Sequence, residues 1–417
     1  MPKKKLSSLG LTATRGADGA VTGLSLDSRK VPPGALFAAL PGTQVHGAEF
    51  IPAALEQGAA AVLTDAAGAE MAADALREAV VVITAEPRAA LSRAAALWYG
   101  AQPEHVVAVT GTNGKTSIAS FTRQIWAHMD LEAANIGTIG VEGAFSAPGI
   151  HTTPDPLTLH KLLADMSAAN ITHVAMEASS HGLAQRRMDG VHLKAAAFSN
   201  LTQDPLDYHG TMEAYLAAKR RLFDELLPQD GVVVANIDDP AGAELAIAVA
   251  KRGQEVISVS EYGAADLGIT GRRLDETGQD VLFEFQDRAF QARLSLIGGF
   301  QALNALQAAA LVIAAGAPPE EAFAALPHLR GVRGRMQLAA RRSFGAPVFV
   351  DYSHTPASLE IALKALRPHV MGRLHVVFGA GGERDRGDRP WMGQAAAAQA
   401  EQSAGTARTR RSEDRWA

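Results

Sequence analysis

Residues 106–121 read VVAVTGTNGKTSIASF, and this stretch decides the fold. The segment 105–109 has the pattern of a buried β-strand, and a glycine-rich turn follows it directly. Four apolar side chains then recur at helical spacing: Ile118, Phe121, Ile125 and Met129. A turn between a strand and a helix places backbone N–H groups and the helix N-terminus around an anion. The stretch therefore predicts a phosphate-binding loop inside an α/β domain.

The predicted loop is shorter than the usual phosphate loop. The pattern G-x-x-x-x-G-K-[ST] would need a glycine where Val109 stands, and the leading glycine is Gly111 instead. We expect Lys115 to reach the outer phosphates of a nucleotide and the Thr116 hydroxyl to bind Mg²⁺. A Gly-Lys-Thr sequence in a surface turn is the alternative, but the flanking strand and helix favour the phosphate loop. The predicted loop residues are Gly111, Thr112, Asn113, Gly114, Lys115 and Thr116.

The composition limits the class of protein. A chain of 417 residues, 47% of them hydrophobic, can bury more than one core, and it has no cysteine for disulfides or thiolate metal sites. Its formal net charge of -5 argues against a nucleic-acid partner. We find neither an apolar run long enough to cross a membrane nor a signal-peptide pattern. We therefore expect a cytoplasmic protein with no membrane partner, and a monomer is the default expectation.

Short apolar segments alternate with helical patterns along most of the chain, as in parallel α/β sheets. Ten segments are predicted strands: 35–40, 60–64, 80–84, 105–109, 171–176, 195–198, 231–236, 256–259, 347–351 and 374–378. Residues 280–297 differ, because their two alternating runs predict an antiparallel hairpin. Turn residues near 102–103 and 331–334 indicate the boundaries between domains. The three predicted domains are 1–102, 103–333 and 334–417.

An acidic residue ends the predicted strand 171–176. Glu177 would lie at the carboxyl edge of the sheet, where a carboxylate can hold a metal that bridges nucleotide phosphates. A single glutamate at such a place is more often a solvated strand end. Ser179, Ser180 and His181 add three polar side chains to the same turn, and this density favours a site.

Several motifs beyond the loop carry a resemblance to a known family. In chain order they are GTNGKT (111–116), HTTP (151–154), MEASSHGLAQRR (176–187), DYHGTMEAYLAAK (207–219), GRMQ (334–337), DYSHTP (351–356) and FGAGGERDRGDRP (378–390). Together with LDSRKVPPGALFAALPGTQVHGAEFI (26–51), this set resembles the Mur ligases, the ATP-dependent ligases of peptidoglycan synthesis. The resemblance implies the three-domain Mur ligase architecture, with an N-terminal uridine-nucleotide domain, a central P-loop ATPase-like domain and a C-terminal Rossmann-like domain.

The resemblance also implies the substrates and the chemistry. It is strongest to the members that extend UDP-MurNAc-L-Ala-D-Glu by a diamino acid, meso-diaminopimelate or L-lysine, with ATP and Mg²⁺. In these ligases ATP phosphorylates the D-glutamate carboxylate, and the amino group of the incoming amino acid attacks the acyl phosphate. A carboxylate that approaches a triphosphate crowds negative charge, which Lys115 and Mg²⁺ would neutralise during phosphoryl transfer.

Site residues follow from the same resemblance, position by position. Lys115, Glu177 and Lys219 would be catalytic, and Thr116, Glu177 and Lys219 would bind metal. The family lysine that matches Lys219 is carbamylated, although a lysine in such a helical run is otherwise read as solvated. The remaining matches form three sets: Asn304, Arg335 and Asp351 for ATP; Leu26, Ser28, Thr152, Thr153, Ser179, Gln185 and Arg187 for the muramoyl peptide; and Arg384 for the incoming amino acid.

Some of these residues have a plain structural alternative. Each hydroxyl residue, taken singly, is most often a turn or cap residue. Asp351 could equally be a solvated loop aspartate. Arg187 has a clear physical role, because a guanidinium recognises a carboxylate through paired hydrogen bonds.

The chain departs from the family pattern at three places. Pro205 stands where a metal-binding histidine is usual, and Asp388 replaces a usual lysine. After Gly393 the family pattern ends, the D-N-P-R motif of diaminopimelate-adding members is absent, and Trp416 is the only large apolar residue. We therefore expect an incomplete C-terminal domain, truncated or out of frame, with residues 394–417 largely disordered.

Three functions remain open at this point. The intact loop, Glu177 and Lys219 favour an active ATP-dependent amide ligase. Pro205 and the divergent C-terminus favour an impaired chain that only binds UDP-sugar or ATP. A folylpolyglutamate-synthetase-like ligase shares the loop chemistry, but the LDSR and HTTP segments favour the uridine muramoyl substrate.

Overall fold

The computed structural model describes residues 3–42, 44–149, 151–202, 208–379 and 388–406. Three groups of strands and helices follow one another along the chain, and apolar side chains are buried within each group. The predicted multidomain α/β class is confirmed.

The N-terminal group is built on a small parallel sheet. Its strands are β1 (Lys4–Lys5), β2 (Ala20–Val21), β3 (Leu24–Ser25), β4 (Leu36–Ala38), β5 (Ala61–Thr64) and β6 (Val80–Ile83), and its helices are α1 (Ile51–Glu56), α2 (Ala66–Met71) and α3 (Pro87–Tyr99). Strands β3 to β6 pair in parallel in sequence order, while β1 and β2 form a separate antiparallel pair. All four side chains of β5 are buried, because helices cover both faces of a parallel sheet.

The central group contains ten strands. They are β7 (His105–Thr110), β8 (Ala133–Gly137), β9 (Gly140–Gly143), β10 (His173–Glu177), β11 (Leu193–Phe198), β12 (Val232–Asn236), β13 (Val256–Ser260), β14 (Leu267–Asp275), β15 (Gly278–Phe285) and β16 (Arg288–Leu294). The helices are α4 (Lys115–His128), α5 (Pro156–Ala168), α6 (Ser180–Ala184), α7 (Met212–Arg221), α8 (Pro240–Lys251), α9 (Phe300–Ala314) and α10 (Pro319–Ala324).

These ten strands form one sheet in the order β16-β15-β14-β13-β12-β11-β7-β10-β8-β9. Pairing is parallel from β14 to β8, and antiparallel at both ends of the sheet. The antiparallel β15–β16 pair confirms the predicted hairpin. Strand β7 lies inside the sheet between β10 and β11, so the turn that follows it opens at the middle of the carboxyl edge.

Helix α4 packs against α9 on one face of this sheet. Ile118, Phe121 and Ile125 are fully buried, and Met129 is partly buried against the same cluster, as the helical spacing predicted. Because α9 is an apolar helix buried along most of its length, it fixes α4 against the sheet.

The C-terminal group is smaller. It contains β17 (Gln337–Arg341), β18 (Pro347–Val350), α11 (Pro356–Leu366), β19 (His375–Phe378), α12 (Asp388–Gln399) and β20 (Gln402–Gly405). Strands β17 and β18 pair antiparallel, whereas β19 and β20 pair in parallel.

The expectation of a disordered tail is wrong for residues 394–405. Most of helix α12 and the whole of β20 lie in that range, and Met392 and Ala396 of α12 are buried against Leu359 and Leu363 of α11. The expectation counted large apolar residues only, whereas alanine is the best helix former and also packs. Residues 407–417, with Trp416, lie outside the described part of the chain.

Among the residues described, the structure contains no helix with the length and apolar character needed to cross a bilayer.

Candidate active site

The candidate site lies at the carboxyl edge of the central sheet. Strand register places Glu177 of β10 beside Val109 of β7, and Phe198 of β11 beside Thr110 on the other side. The segment 111–116 therefore begins between two neighbouring strand ends, which is where ligands bind in open α/β sheets.

Two glycines of the loop are required by its geometry. Gly111 has φ +142°, and a Cβ there would lie 2.0 Å from the Ser199 Oγ. Gly114 has φ +87°, and a Cβ there would lie 2.8 Å from the Asn304 Oδ1. No other residue type fits either position, so the short GTNGKT loop is fixed by sterics on both sides.

The segment after β11 holds the loop in shape. The backbone N–H of Asn113 donates to the Asn200 Oδ1 at 2.9 Å, and that of Thr112 donates to the Asn200 carbonyl at 2.8 Å. The Ser199 hydroxyl donates to the Asn113 carbonyl at 2.6 Å. These bonds connect the loop to the end of β11.

Two ammonium groups meet at one carbonyl of the loop. The Lys115 Nζ donates to the carbonyls of Gly111 and Thr112, both at 2.8 Å. The Lys219 Nζ also donates to the Gly111 carbonyl at 2.8 Å and lies 4.2 Å from the centre of the Tyr215 ring. Lys219 is buried, so the alternative of a solvated lysine is wrong. The pair concentrates positive charge where phosphates would lie.

Glu177 is a buried carboxylate that bridges the loop and strand β8. Its Oε2 accepts from the hydroxyls of Thr116 at 3.0 Å and Thr138 at 3.2 Å, and its Oε1 accepts from the Thr138 backbone N–H at 2.8 Å. Burial raises the pKa of Glu177, while the charge of Lys115 and the hydrogen bonds act in the opposite direction. The alternative of a solvated strand end is wrong.

The arrangement of Thr116 and Glu177 fits a Mg²⁺ ion. A hydroxyl and a carboxylate oxygen 3.0 Å apart are oxygen ligands of the kind that Mg²⁺ takes, together with phosphate and water. A bound cation would also offset the cost of the buried charge on Glu177. In the described part of the chain no group of three or more acidic or histidine side chains is placed to hold a metal by itself.

Three residues predicted to hold ATP lie at different distances from the loop. Asn304 of α9 is buried against Gly114 and donates to the Gln301 Oε1 at 3.1 Å. The Arg335 Nη2 lies 3.5 Å from the Thr116 Oγ1, and its guanidinium stacks on Tyr352. The Asp351 carboxylate accepts from the Met336 backbone N–H at 2.8 Å, so Asp351 orders the segment next to Arg335 and is not simply solvated.

A cavity of 320 Å³ lies between the N-terminal and central groups and reaches the end of β8 at Gly137. Three of the predicted muramoyl-peptide residues line it: Leu26, Gln185 and Arg187. The Arg187 guanidinium donates to the Gln185 Oε1 at 2.7 and 3.1 Å and to the Thr153 carbonyl at 2.6 Å. Burial lowers the pKa of Arg187, and an anionic group in the cavity would compensate that burial.

The hydroxyl residues predicted for the same substrate have mainly structural partners. Thr153 is fully buried and bonds to the Glu177 carbonyl at 2.8 Å and to the Ser179 Oγ at 3.1 Å. Ser179 caps α6 by accepting from the Gly182 N–H at 3.0 Å. The Thr152 Oγ1 lies 3.0 Å from the Thr138 Oγ1, whereas Ser28 does not line the cavity. Thr152 is partly exposed, and its hydroxyl lies next to Thr138, which donates to the Glu177 carboxylate.

Sequence reasoning missed Thr138, Asn200 and Arg88. Thr138 follows β8, whose AANIG sequence has a weak strand pattern, and Asn200 follows β11 without belonging to a motif. Arg88 lines the cavity from the second position of α3 and donates to the Pro41 carbonyl. The signal available for Thr138 and Asn200 was their position just after a strand of the parallel sheet.

Some predicted residues lie outside the described part of the chain. These are Pro205 and Arg384, while Asp388 begins α12 and only its backbone is described. The predicted roles of Pro205, Asp388 and Arg384 therefore stay predictions.

Comparisons with known proteins place family matches along nearly the whole chain. Residues 20–99 match the Mur ligase family catalytic domain, residues 109–312 match the Mur ligase middle domain, and residues 334–417 match the Mur ligase glutamate ligase domain. The chain is 46% identical over 405 residues to the UDP-N-acetylmuramoyl-L-alanyl-D-glutamate--2,6-diaminopimelate ligase of Caulobacter vibrioides. The alignment covers 95% of this chain and 82% of that protein.

Solved structures give a similar result. A UDP-N-acetylmuramoyl-L-alanyl-D-glutamate--2,6-diaminopimelate ligase matches with a TM-score of 0.77 and 32% identity, over 99% of this chain and 84% of that one. The MurF ligase of Thermotoga maritima in complex with ADP matches with a TM-score of 0.62 at 18% identity, over 92% of this chain and 83% of that one. At that identity the second match shows a common fold alone.

Replacement Glu177→Gln is expected to stabilise the metal-free protein at neutral pH. Burial raises the pKa of Glu177 in the folded state, so the unfolded chain loses this proton first as the pH rises. The free energy of unfolding should thus fall with pH between the unfolded and folded pKa values in the parent protein, but not in the variant. Urea unfolding over a pH series without metal measures this difference.

The control for this experiment is Glu56→Gln, which removes an exposed carboxylate from α1. It should leave the pH dependence of unfolding unchanged. An E177Q protein that is less stable than the parent at neutral pH without metal would contradict the conclusion that burial disfavours the charged form of Glu177.

Proposed function

The chain belongs to the Mur ligase family, and from this membership we infer that it is the ATP-dependent ligase that adds meso-diaminopimelate to UDP-MurNAc-L-Ala-D-Glu. The names of the relatives support diaminopimelate over L-lysine, which stays the alternative amino acid. The reaction belongs to the synthesis of the peptidoglycan precursor. Its use of ATP and a UDP-linked substrate agrees with a cytoplasmic location, and a monomer stays our expectation.

One observation carries the proposal: Glu177 lies between the phosphate loop and Gly137, which lines the cavity. Gly137 lines the cavity, and a Cβ on it would lie 2.0 Å from the Glu177 Oε1. Glu177 in turn accepts from Thr116 of the loop. A carboxylate held in the cavity by Arg187 therefore has a short route to a nucleotide held by Lys115.

The proposed reaction has two steps. An oxygen of the D-glutamate carboxylate attacks the γ-phosphorus of ATP, the bond from that phosphorus to the β,γ-bridging oxygen breaks, and ADP leaves. The amino group of the incoming amino acid then attacks the acyl carbon, loses a proton and expels phosphate, which forms the amide. Lys115 and the loop N–H groups hold the phosphates in line for the first step.

Several residues of this chain lower the electrostatic repulsion between the D-glutamate carboxylate and the phosphates of ATP. The Lys115 ammonium lies at the Gly111 carbonyl, and Arg335 lies at Thr116, so two cations lie beside the predicted phosphate position. Mg²⁺, held by Thr116 and Glu177, would neutralise further charge on the phosphates when bound. Asn304 of α9 supports the loop at Gly114.

Lys219 is proposed to carry a carbamate in the active protein. Its amine is buried and shares the Gly111 carbonyl with Lys115, and both burial and a neighbouring ammonium favour the neutral amine that reacts with CO₂. The resulting anion would bring a further oxygen ligand for metal to the edge of the loop. Arg384 is proposed to meet the carboxylate of the amino acid, on family resemblance alone.

Ligase activity should depend on Lys115. Phosphate release with ATP, UDP-MurNAc-L-Ala-D-Glu and meso-diaminopimelate is expected for the parent protein, and a lower rate with L-lysine. Lys115→Ala should reduce the rate by at least about a hundredfold, because a preorganised cation is lost from the transferred phosphate. Lys161→Ala, which removes an exposed lysine of α5, is the matched control and should retain the rate. Nucleotide binding without phosphate release by the parent protein would favour the impaired, binding-only alternative.

Arg187 should govern the affinity for the muramoyl substrate and not for ATP. Arg187→Gln is expected to raise KM for UDP-MurNAc-L-Ala-D-Glu by about 10- to 100-fold, since a charged hydrogen bond contributes about 1.5–3 kcal/mol. The KM for ATP should stay unchanged. Steady-state kinetics with each substrate varied in turn measures both, with exposed Arg77→Gln as the control. Equal increases in both KM values would refute a substrate-specific role.

The carbamate on Lys219 can be tested by chemical rescue. Lys219→Ala should abolish most of the ligase activity, and acetate should restore part of it, because a small carboxylate can occupy the space of the carbamate. Lys115→Ala should not respond to acetate, since its missing group is a cation. Failure of acetate to restore a correctly folded K219A protein, checked by circular dichroism, would count against the carbamate.

A further inference from the structure

A second cavity is lined by helix α4, shares no lining residue with the substrate cavity and is independent of the proposed ligase function. Its volume is 520 Å³, and none of the loop residues 111–116 lines it. We propose that this cavity, which we call the α4 cavity, binds a small phosphate-class oxyanion, either free orthophosphate or a phosphate monoester. Its walls come from α4, the end of β9 and the segment 328–337 that leads to β17.

The charge of the α4 cavity favours a multivalent anion. Arg123, Arg330 and Arg333 line it, and Glu142 is the one acidic residue among the lining side chains described. Three positive charges and one negative charge leave an excess of two positive charges among these four side chains. His128 and His328 also line the cavity.

Arg123 provides the central cation. It is only partly exposed, and its Nε donates to the Asn135 Oδ1 at 3.1 Å, which fixes the plane of the guanidinium. Burial lowers the pKa of Arg123, with the charge of Glu142 acting in the opposite direction. A partly desolvated guanidinium held by one edge offers its other N–H groups as a fork, and that fork matches two oxygens of a phosphate group.

The second wall of the cavity is held at a fixed distance from α4. The Gln124 side chain bonds to both backbone groups of Arg330: its Oε1 accepts from the N–H at 2.8 Å, and its Nε2 donates to the carbonyl at 3.1 Å. The imidazoles of His128 and His328 stack 4.1 Å apart. The backbone of segment 328–337 is thereby held beside α4 at Arg330, which reduces the entropy lost when an anion binds between the two segments.

The geometry favours a small anion over a polymer. The three lining arginines come from α4 and segment 328–337 and share one cavity, whereas a nucleic-acid site requires a stripe of cations along the surface. The α4 cavity also lies along the middle and C-terminal part of α4, whereas the N-terminus of α4 belongs to the nucleotide loop.

Calorimetric titration of the Lys115→Ala protein tests the proposal, because this variant weakens phosphate binding at the nucleotide loop. Inorganic phosphate and glycerol 1-phosphate are titrated separately, and one-to-one binding of either is expected. The tighter of the two identifies the source of the phosphate group. Adding Arg123→Gln or Arg333→Gln should weaken that binding by at least about tenfold through loss of one charged hydrogen bond.

Two controls keep the result interpretable. Arg333 is exposed, so its variant should fold even if Arg123→Gln does not, and thermal melting checks both. Arg342→Gln removes an exposed arginine outside the cavity and should leave binding unchanged. Absence of binding by both ligands, or binding that Arg123→Gln and Arg333→Gln leave unchanged, would overturn the proposal.

Discussion

The structure depends on one electrostatic constraint: a carboxylate must reach a phosphate chain without being repelled. The chain meets it by placing cations at the end of a buried strand, where Lys115 and Arg335 lie at the short loop. The Lys115 ammonium donates to loop carbonyls, and the Arg335 guanidinium lies beside Thr116. Glu177 is the one carboxylate inside this group in the described structure, and its burial favours a bound cation beside it.

The order of the strands in the sheet determines where the loop lies, and the sequence of the loop determines its local shape. Strand β7 lies between β10 and β11, so residues after three neighbouring strands converge on the same edge. Ser199 and Asn200 hold the loop from one side, and Glu177 and Thr138 bound it on the other. A rigid sheet therefore supplies the preorganisation that a flexible glycine-rich loop lacks by itself.

Local patterns predicted the elements that carry strong periodicity. The helical spacing of Ile118, Phe121 and Ile125 matches their burial in α4, and the alternating runs after residue 279 form the predicted hairpin. Strands β8 and β9 were missed, because AANIG and GVEG have little β-branched or alternating character and are strands only through pairing with their neighbours. The ordered segment of α12 was missed for a related reason, since its contact with α11 is a tertiary effect. Lys219 could be singled out only by resemblance, because burial cannot be read from a single lysine in a polar helix.

The substrate cavity draws residues from two domains at once. Leu26 and Arg88 reach it from the N-terminal side and Arg187 from the central side, while the Ser92 hydroxyl of α3 donates to the carbonyls of Arg187 and Asp189 at 3.1 and 2.6 Å. A molecule that fills this space acts as a cross-link, and its binding energy adds to the cohesion between the two folding units. A bound ligand would therefore make the segment between the two domains more resistant to proteolysis and to thermal unfolding. The muramoyl ligand would then stabilise the contact between the domains as well as serve as substrate.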